Sequence, residues 1–223
     1  MKRIEALSKL TKGTNTLLDI GTDHGYLLID ALNNHYIQKG IACDINEQPL
    51  KNAYKNIKMA GLESQVSFVL SNGFLNVNEP YDGVVIAGMG MHLVKTILSQ
   101  KHLTPNKYIV SVHNHLDQFR RFITDNGFKI ENEEVIHEKF YYVLFVLTKN
   151  EEKLTEKQMF LGPVLQSKIE ALSYYEHLLK INEELYQKVP TVRQQSLEVQ
   201  IKWLKMAIKS LKATKSINKK SRI

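Results

Sequence analysis

The chain has 223 residues, and its hydrophobic content of 43% and aromatic content of 9% exclude an intrinsically disordered protein. Its single cysteine, Cys43, excludes an internal disulfide framework and any metal site built from several thiolates. The sequence shows no secretion signal and no apolar run of membrane-spanning length, so we expect a cytoplasmic protein that does not enter a membrane.

The formal net charge of +7 is unevenly distributed. Residues 1–150 carry 16 Lys and Arg against 15 Asp and Glu, whereas residues 151–223 carry 14 against 8. No acid follows Glu198, and the basic residues after it are Lys202, Lys205, Lys209, Lys212, Lys215, Lys219, Lys220 and Arg222. This asymmetry suggests a polyanionic partner, although a solvated helix face would explain the same residues.

Hydrophobic periodicity predicts an amphipathic helix at residues 3–10, followed by alternating strands and helices. The predicted strands are residues 16–20, 40–44, 66–70, 83–87 and 108–112, and the predicted helices are residues 25–34, 47–60, 93–100 and 116–126. Two final strands, 130–136 and 141–147, are separated by a short turn and should form an antiparallel hairpin. This order predicts an α/β fold with the seven-stranded, Rossmann-like sheet of class I methyltransferases.

Beyond residue 150 the pattern becomes helical. Apolar residues recur at helical spacing up to a break at Val189-Pro190, and a second series with spacings of four and three follows: Leu197, Ile201, Leu204, Ile208 and Leu211. We therefore predict a domain at 1–150 and, at 151–223, two long helices in a coiled-coil-like antiparallel hairpin. The second helix is basic, which favours an RNA-binding arm carrying Lys202, Lys205, Lys209 and Lys212. The apolar series would pack either within this hairpin or between two chains.

The most informative segment runs from Asp19 to Gly25, where a strand ends in a glycine-bearing turn that opens a helix. The next strand ends in Asp44, an acid placed to accept hydrogen bonds from both hydroxyls of a ribose. The glycines Gly21 and Gly25 are too few for a pyrophosphate cradle. This combination favours S-adenosylmethionine over a nicotinamide dinucleotide, although an ordinary tight turn has the same pattern.

Further polar and glycine-rich segments follow other predicted strands. Asn72-Gly73 lies where this class of methyltransferase places a side chain near the adenine of its cofactor, and a plain turn is the alternative. Ala87-Gly88-Met89-Gly90 would bring the backbone beside a flat group.

Residues after the fifth strand and in the last strand suggest a substrate pocket. They include His113, Asn114 and His115, which are a weak metal site without a supporting carboxylate or cysteine, so no metal is expected. Tyr141 and Tyr142 face opposite sides of their strand, and one could stack on a base extruded from its helix.

The segments at 19–27 and 87–90, with the C-terminal hairpin, resemble the bacterial tRNA (adenine-22-N1)-methyltransferases of the TrmK type. The resemblance covers essentially the whole chain and implies S-adenosylmethionine-dependent methylation of N1 of adenine 22 in tRNA. It also implies residue roles. The cofactor would be bound by Asp19, Gly21, Asp23, His24, Asp44, Asn72, Gly73, Ala87, Gly88 and Met89, and the catalytic residues would be Tyr142, Asn114 and Gly88. The chain departs from the family pattern at Leu28, Asn72, Met91 and Val112-His113.

Two alternatives remain open at this point. One is a methyltransferase that acts on another RNA position or on a small metabolite, and the basic arm argues against the metabolite. The other is a non-catalytic RNA-binding protein on a methyltransferase scaffold. The residues Asp19, Gly21 and Asp44 argue against it, because a scaffold without activity has no chemical need of them.

Overall fold

The computed structural model describes residues 2–220. Helix α1 (Lys2–Leu10) precedes an alternating region, whose elements are β1 (Thr16–Ile20), α2 (Tyr26–Asn33), β2 (Lys39–Asp44), α3 (Glu47–Met59), β3 (Val66–Leu70), β4 (Gly83–Ile86), α4 (Met91–Leu98), β5 (Lys107–Val112), α5 (Leu116–Asp125), β6 (Phe128–His137) and β7 (Tyr141–Lys149). The C-terminal helices are α6 (Glu156–Leu161), α7 (Leu172–Tyr186) and α8 (Thr191–Lys220). No described helix combines the length and apolar composition required to cross a membrane.

The seven strands form one sheet in the order β3-β2-β1-β4-β5-β7-β6. The pairs among β1 to β5 are parallel, whereas β7 runs antiparallel to both β5 and β6. The predicted α/β fold with its terminal hairpin is therefore confirmed. Strand order reverses between β1 and β4, and ligands bind at such a reversal, outside the carboxyl ends of the strands.

Apolar side chains cover both faces of the sheet. Helices α1, α2 and α3 pack on one face through residues such as Leu28 and Ile57, both fully buried. Helices α4 and α5 pack on the other face together with the C-terminal helices, in a cluster that joins Phe119 and Phe145 to Tyr175 and Leu204. The C-terminal helices thus share a hydrophobic core with the sheet.

The prediction of two long C-terminal helices is wrong for the first helix. That region is divided into α6, two 3-10 turns (Leu165–Ser167 and Ile169–Ala171) and α7. The interruption follows Gly162, whose φ of +97° is outside the helical range, and Pro163, which has no N–H to donate. The break at Pro190 occurs as predicted, because α7 ends at Tyr186 and α8 starts at Thr191.

Helices α7 and α8 form the predicted antiparallel hairpin. Lys205 pairs with Glu183 and Lys212 pairs with Glu176, each at 2.8 Å, so the chain positions run in opposite directions. The apolar series of α8 is satisfied within the chain, since Leu197, Leu204, Ile208 and Leu211 are buried. Arg222, the last of the predicted basic residues, lies outside the described residues.

Candidate active site

The turn after β1 is held in a conformation that requires glycine. Gly21 and Gly25 have φ values of +81° and +72°, and the intervening Asp23 also adopts a positive φ of +50°. The backbone N–H groups of Gly21 and Thr22 donate to the carbonyl of Cys43 at 2.8 and 3.0 Å. These two hydrogen bonds fix the turn against the end of β2.

The turn after β4 meets the first turn. A Cβ atom added to Gly21 would lie 2.8 Å from the terminal methyl of Met89, so the two turns are in contact. Gly88 has a φ of +79°, and a Cβ atom built there would meet no atom of the described chain within 4 Å. The backbone at Gly88 therefore borders open space, where a flat group can approach it.

Two buried carboxylates lie at this edge of the sheet. Asp19 is 5% exposed and Asp44 is 9% exposed. Burial is the main cause that raises the pKa of Asp19 to about 6; Thr22 lowers it in part, and the negative charge of Asp44 contributes to the rise. Asp44 accepts a hydrogen bond from the N–H of Asn46 through Oδ1 at 3.0 Å. Its side chain has capacity for further donors, such as the hydroxyls of a ribose.

A cavity of about 140 Å³ brings six of the predicted site residues together: Asp19, Gly21, Asp23, His24, Ala87 and Gly88. Helix α1 closes its other side through Arg3, Ile4 and Leu7. Asp44, Gly73, Asn72 and Met89 do not line this cavity. Asn72 is exposed, and the amide of Gln100 donates to its backbone carbonyl at 3.2 Å.

The two neighbouring tyrosines of β7 point to opposite faces, as strand alternation predicts. The Tyr142 ring lies beneath the guanidinium of Arg3, whose Cζ is 4.4 Å from the ring centroid, and the His113 ring is 5.6 Å away. Tyr141 instead contacts His177 and Tyr174 of α7, at ring centroid distances of 5.1 and 5.4 Å. Tyr142 is consequently the tyrosine that shares a neighbour, Arg3, with the cavity of Asp19 and Gly88.

The chain is similar to known proteins, and one family model covers most of its length. Residues 17–213 match the family model described as TrmK, tRNA (adenine(22)-N(1))-methyltransferase. The chain belongs to this family. It is therefore a tRNA (adenine(22)-N(1))-methyltransferase that uses S-adenosylmethionine, and both predictions are confirmed.

Individual relatives agree with the family match. A Mycoplasma genitalium protein, named for tRNA methyltransferase activity, is 30% identical over 81% of this chain and 86% of its own length. TrmK of Mycoplasma capricolum, solved with S-adenosylhomocysteine, is 27% identical, with a TM-score of 0.81 over 95% of this chain and 98% of its own. A Streptococcus pneumoniae protein solved with S-adenosylmethionine is also 27% identical, with a TM-score of 0.81 over 93% of this chain and 99% of its own.

The remaining predicted residues of this TrmK-family protein lie apart from the small cavity. Asn114 is exposed after β5 and lines a larger groove that it shares with Tyr141. Lys202, Lys205, Lys209 and Lys212 are all exposed on α8. Two of the four, Lys205 and Lys212, form ion pairs with acids of α7. The described residues contain no group of three or more His, Cys, Asp or Glu side chains arranged to hold a metal ion.

Sequence reasoning missed Arg3. Its helix was predicted only as an amphipathic element, and nothing near Arg3 in the sequence indicates that its side chain meets Tyr142. The backbone N–H of Arg3 also donates to the Glu138 carboxylate at 3.2 Å, which ties α1 to the turn between β6 and β7. Only the tertiary structure brings these segments together.

Proposed function

We propose that this enzyme binds S-adenosylmethionine between the turns after β1 and β4, and that it methylates N1 of adenine 22 after the base has been extruded from the tRNA. The observation that carries this proposal is the single cavity that joins Asp19, Gly21 and Gly88. The open space at Gly88 and the buried carboxylate of Asp44 suit a ligand with a flat ring and a ribose.

In this proposal Asp44 accepts hydrogen bonds from the ribose hydroxyls, while Asp19, Asp23 and His24 face the methionine end. Asn72 and Gly73 border the adenine of the cofactor. When bound, the cofactor supplies a methyl group carried by a sulfonium sulfur. Adenine N1 is already unprotonated at neutral pH, so the protein has chiefly to align the reacting atoms and exclude water.

Tyr142 is proposed to stack on the target adenine. The Arg3 guanidinium lies over its ring at 4.4 Å, and this contact with a flat group supports a stacking role for the ring. Extrusion of a base costs a few kcal/mol, and stacking on an aromatic ring returns part of that cost. Asn114 and the backbone at Gly88 would contact the Watson–Crick edge of the adenine.

Residues 1–150 would thus carry the cofactor and the chemistry, and residues 151–223 would hold the tRNA backbone through the lysines of α8. All four lysines are exposed on one helix, as a phosphate-binding surface requires. Because the substrate is tRNA, we place the enzyme in the cytoplasm, and we expect that it needs neither a metal ion nor a membrane.

The test is methyl transfer from labelled S-adenosylmethionine to unmodified tRNA, followed by nucleoside analysis. The expected product is 1-methyladenosine, and tRNA with guanosine in place of adenine 22 should remain unlabelled. Tyr142→Ala should lower kcat about 100-fold with nearly unchanged cofactor affinity, while Tyr142→Phe should retain most of the activity. Equal losses of cofactor affinity and turnover in Tyr142→Ala would contradict the assigned role.

A further inference from the structure

A groove of about 830 Å³ separates the carboxyl edge of the sheet from helix α7. We call it the hairpin groove and define it by Asn114, Lys139, Phe140, Tyr141, Phe160 and His177. It is several times larger than the cavity beside Asp19. The proposed function uses one of its residues, Asn114, for the target adenine and assigns no ligand to the rest of its interior.

Tyr141 forms the floor of the hairpin groove. Its ring stacks on His137 with a centroid distance of 4.3 Å and an interplanar angle of 25°. It also lies 5.1 Å from the ring of His177, and its hydroxyl donates to the carbonyl of Ser173 at 3.3 Å. Tyr141 therefore contacts both walls, and its ring is part of the lining between them.

The walls combine aromatic surface with little net charge. Among the described residues that line the groove, Lys139 and Asp117 carry the formal charges, and they have opposite signs. Phe140 is 52% exposed and Ile181 is 43% exposed at the rim, so large apolar side chains remain open to a ligand. Surfaces of this kind suit a neutral, flat ring more than they suit a phosphate group.

The groove adjoins the proposed position of the target base at His113. The His113 ring lies 5.6 Å from Tyr142 and 6.3 Å from Phe140, so one side chain borders both places. A nucleotide extruded onto Tyr142 remains covalently joined to its neighbours. One of those neighbours can therefore reach the groove past His113.

We propose that the hairpin groove binds an unpaired nucleobase adjacent to adenine 22, which stacks on Phe140 and the Tyr141–His177 pair. The inference rests on the proposed function and extends it to the choice of substrate. The helical hairpin would then supply one wall of a base-binding site in addition to its contacts with phosphates. The enzyme would act on an adenine whose neighbour is also free to leave its stack.

The test uses the full-length enzyme and tRNA substrates that lack the base of the nucleotide before or after adenine 22. The Phe140→Ala substitution should lower kcat/KM for intact tRNA about tenfold, because one stacking contact is lost, while cofactor affinity is unchanged. One of the two abasic substrates lacks the base that binds in the groove. With that substrate, kcat/KM of the wild-type enzyme should fall by the same factor, and Phe140→Ala should lower it little further. His177→Ala should behave in the same way.

Leu103→Ala is the matched control. Leu103 is 53% exposed and precedes β5, so it lies at the amino ends of the strands, away from the groove at their carboxyl ends. The substitution should leave kcat/KM unchanged with every substrate. The inference would be overturned if the loss of kcat/KM in Phe140→Ala multiplied with the loss caused by each of the two abasic substrates. Full activity of both Phe140→Ala and His177→Ala would also overturn it. Wild-type enzyme that produces no 1-methyladenosine would instead overturn the proposed function.

Discussion

Asp19 is proposed to bind the cofactor, and its burial disfavours the charged form of its carboxyl group in the folded protein. It is a carboxylate within a parallel strand, nearly sealed from solvent, and it lies close enough to Asp44 for the two charges to repel. Burial is the larger cause of its raised pKa, about 6 against an ordinary 3.8. The folded protein therefore holds a proton on Asp19 more tightly than the unfolded chain does.

This difference predicts how stability changes with pH. Because the folded state binds the proton more tightly, the contribution of Asp19 to the free energy of unfolding is greatest below the ordinary pKa of 3.8 and falls as the pH rises through about 6. The loss is about 3 kcal/mol, from about 1.4 kcal/mol per pH unit. Urea unfolding of wild type and Asp19→Asn between pH 4 and 7 measures it as the change in their difference.

Asp23→Asn is the control, because Asp23 lies in the same turn with an exposed side chain. Because solvent screens this exposed carboxylate, Asp23→Asn should change the free energy of unfolding far less than Asp19→Asn does. A stability difference between wild type and Asp19→Asn that is independent of pH would contradict the assigned pKa.

A comparison of Gly88 with Gly13 distinguishes a glycine that only its backbone conformation requires from one that also faces the proposed ligand. Gly88 and Gly13 have φ values of +79° and +87°, and a Cβ atom at either would meet no described atom within 4 Å. Alanine at either position should cost about 1 kcal/mol of stability through backbone strain alone. Only Gly88→Ala should also weaken S-adenosylmethionine binding, by about tenfold or more, because its methyl group enters the proposed site.

Calorimetric titration and thermal unfolding of the two glycine variants give both quantities. Equal cofactor affinities for Gly13→Ala and Gly88→Ala would place the cofactor away from the β4 turn.

At the scale of elements, a buried ion pair fastens the start of the C-terminal helices to the sheet. Arg120 of α5 donates to Glu133 of β6 at 2.8 Å, and both side chains are fully buried. Arg120 also donates to the carbonyl of Met159, at the end of α6. The other oxygen of Glu133 accepts from the N–H groups of Val164 and Leu165 at 3.0 and 2.9 Å. The segment that interrupts the predicted helix is thus held by charged groups.

Glu133→Gln should therefore destabilise the protein by about 3–5 kcal/mol, since it leaves Arg120 charged and buried without its carboxylate. The same elements provide a matched control in the exposed pair of Arg121 and Glu156, at 2.8 Å. Glu156→Gln should cost less than about 1 kcal/mol because solvent screens that pair. Denaturant unfolding measures the loss of unfolding free energy in both variants. Similar losses would contradict the claim that burial makes the Arg120–Glu133 pair more important than the exposed pair.

The strands could be predicted more fully from the sequence than the C-terminal helices could. Strand residues alternate or form short apolar runs between turns, and the observed β1 and β3 have the predicted bounds. Helix α4 starts earlier than predicted, at Met91, because Gly90 lies at its N-cap in an extended conformation. The division before α7 was missed because Leu161, Leu165 and Leu172 keep helical spacing across it.

The site residues were predictable where they lie at the end of a strand or in the turn after it. Asp19 lies near the end of β1, and Gly21 and Gly88 lie in the turns after β1 and β4, so the rule that ligands bind at the carboxyl ends of strands predicts that they share a site. Arg3 was not predictable, because its contact with Tyr142 depends on how α1 packs. The sequence also leaves open which of Tyr141 and Tyr142 meets the base, since alternation gives opposite faces without saying which is which.

At the scale of the whole molecule, the lysines of α8 divide into two pairs. Lys205 and Lys212 are each held by an acid of α7, whereas the described residues offer no acid within ion-pair distance of Lys202 or Lys209. The latter two border a surface that Glu198, Val199, Lys205 and Met206 also line. Phosphates should therefore bind chiefly at Lys202 and Lys209.

The double substitution Lys202→Ala with Lys209→Ala should weaken tRNA binding and reduce the slope of log affinity against log salt by about 2. Lys205→Ala with Lys212→Ala removes the same formal charge but should change the slope less, because their charges are already compensated. Filter binding over a range of salt concentrations measures both. Equal slopes for the two double variants would show that the ion pairs open when tRNA binds.

The contacts of β6 have a consequence for the solution behaviour of the enzyme. As the last strand of the sheet, β6 has one side without a neighbouring strand, and such edges recruit strands from other molecules. Here the N–H of Ile130 donates to Glu152 at 2.9 Å, Lys168 donates to Asn132, and Glu133 holds the backbone at Leu165. The segment after β7 thus lies against β6 and binds one of its backbone N–H groups. Residues 151–168 should therefore hinder a second molecule from adding its strand here, and a chain cut after Asn150 should aggregate more readily.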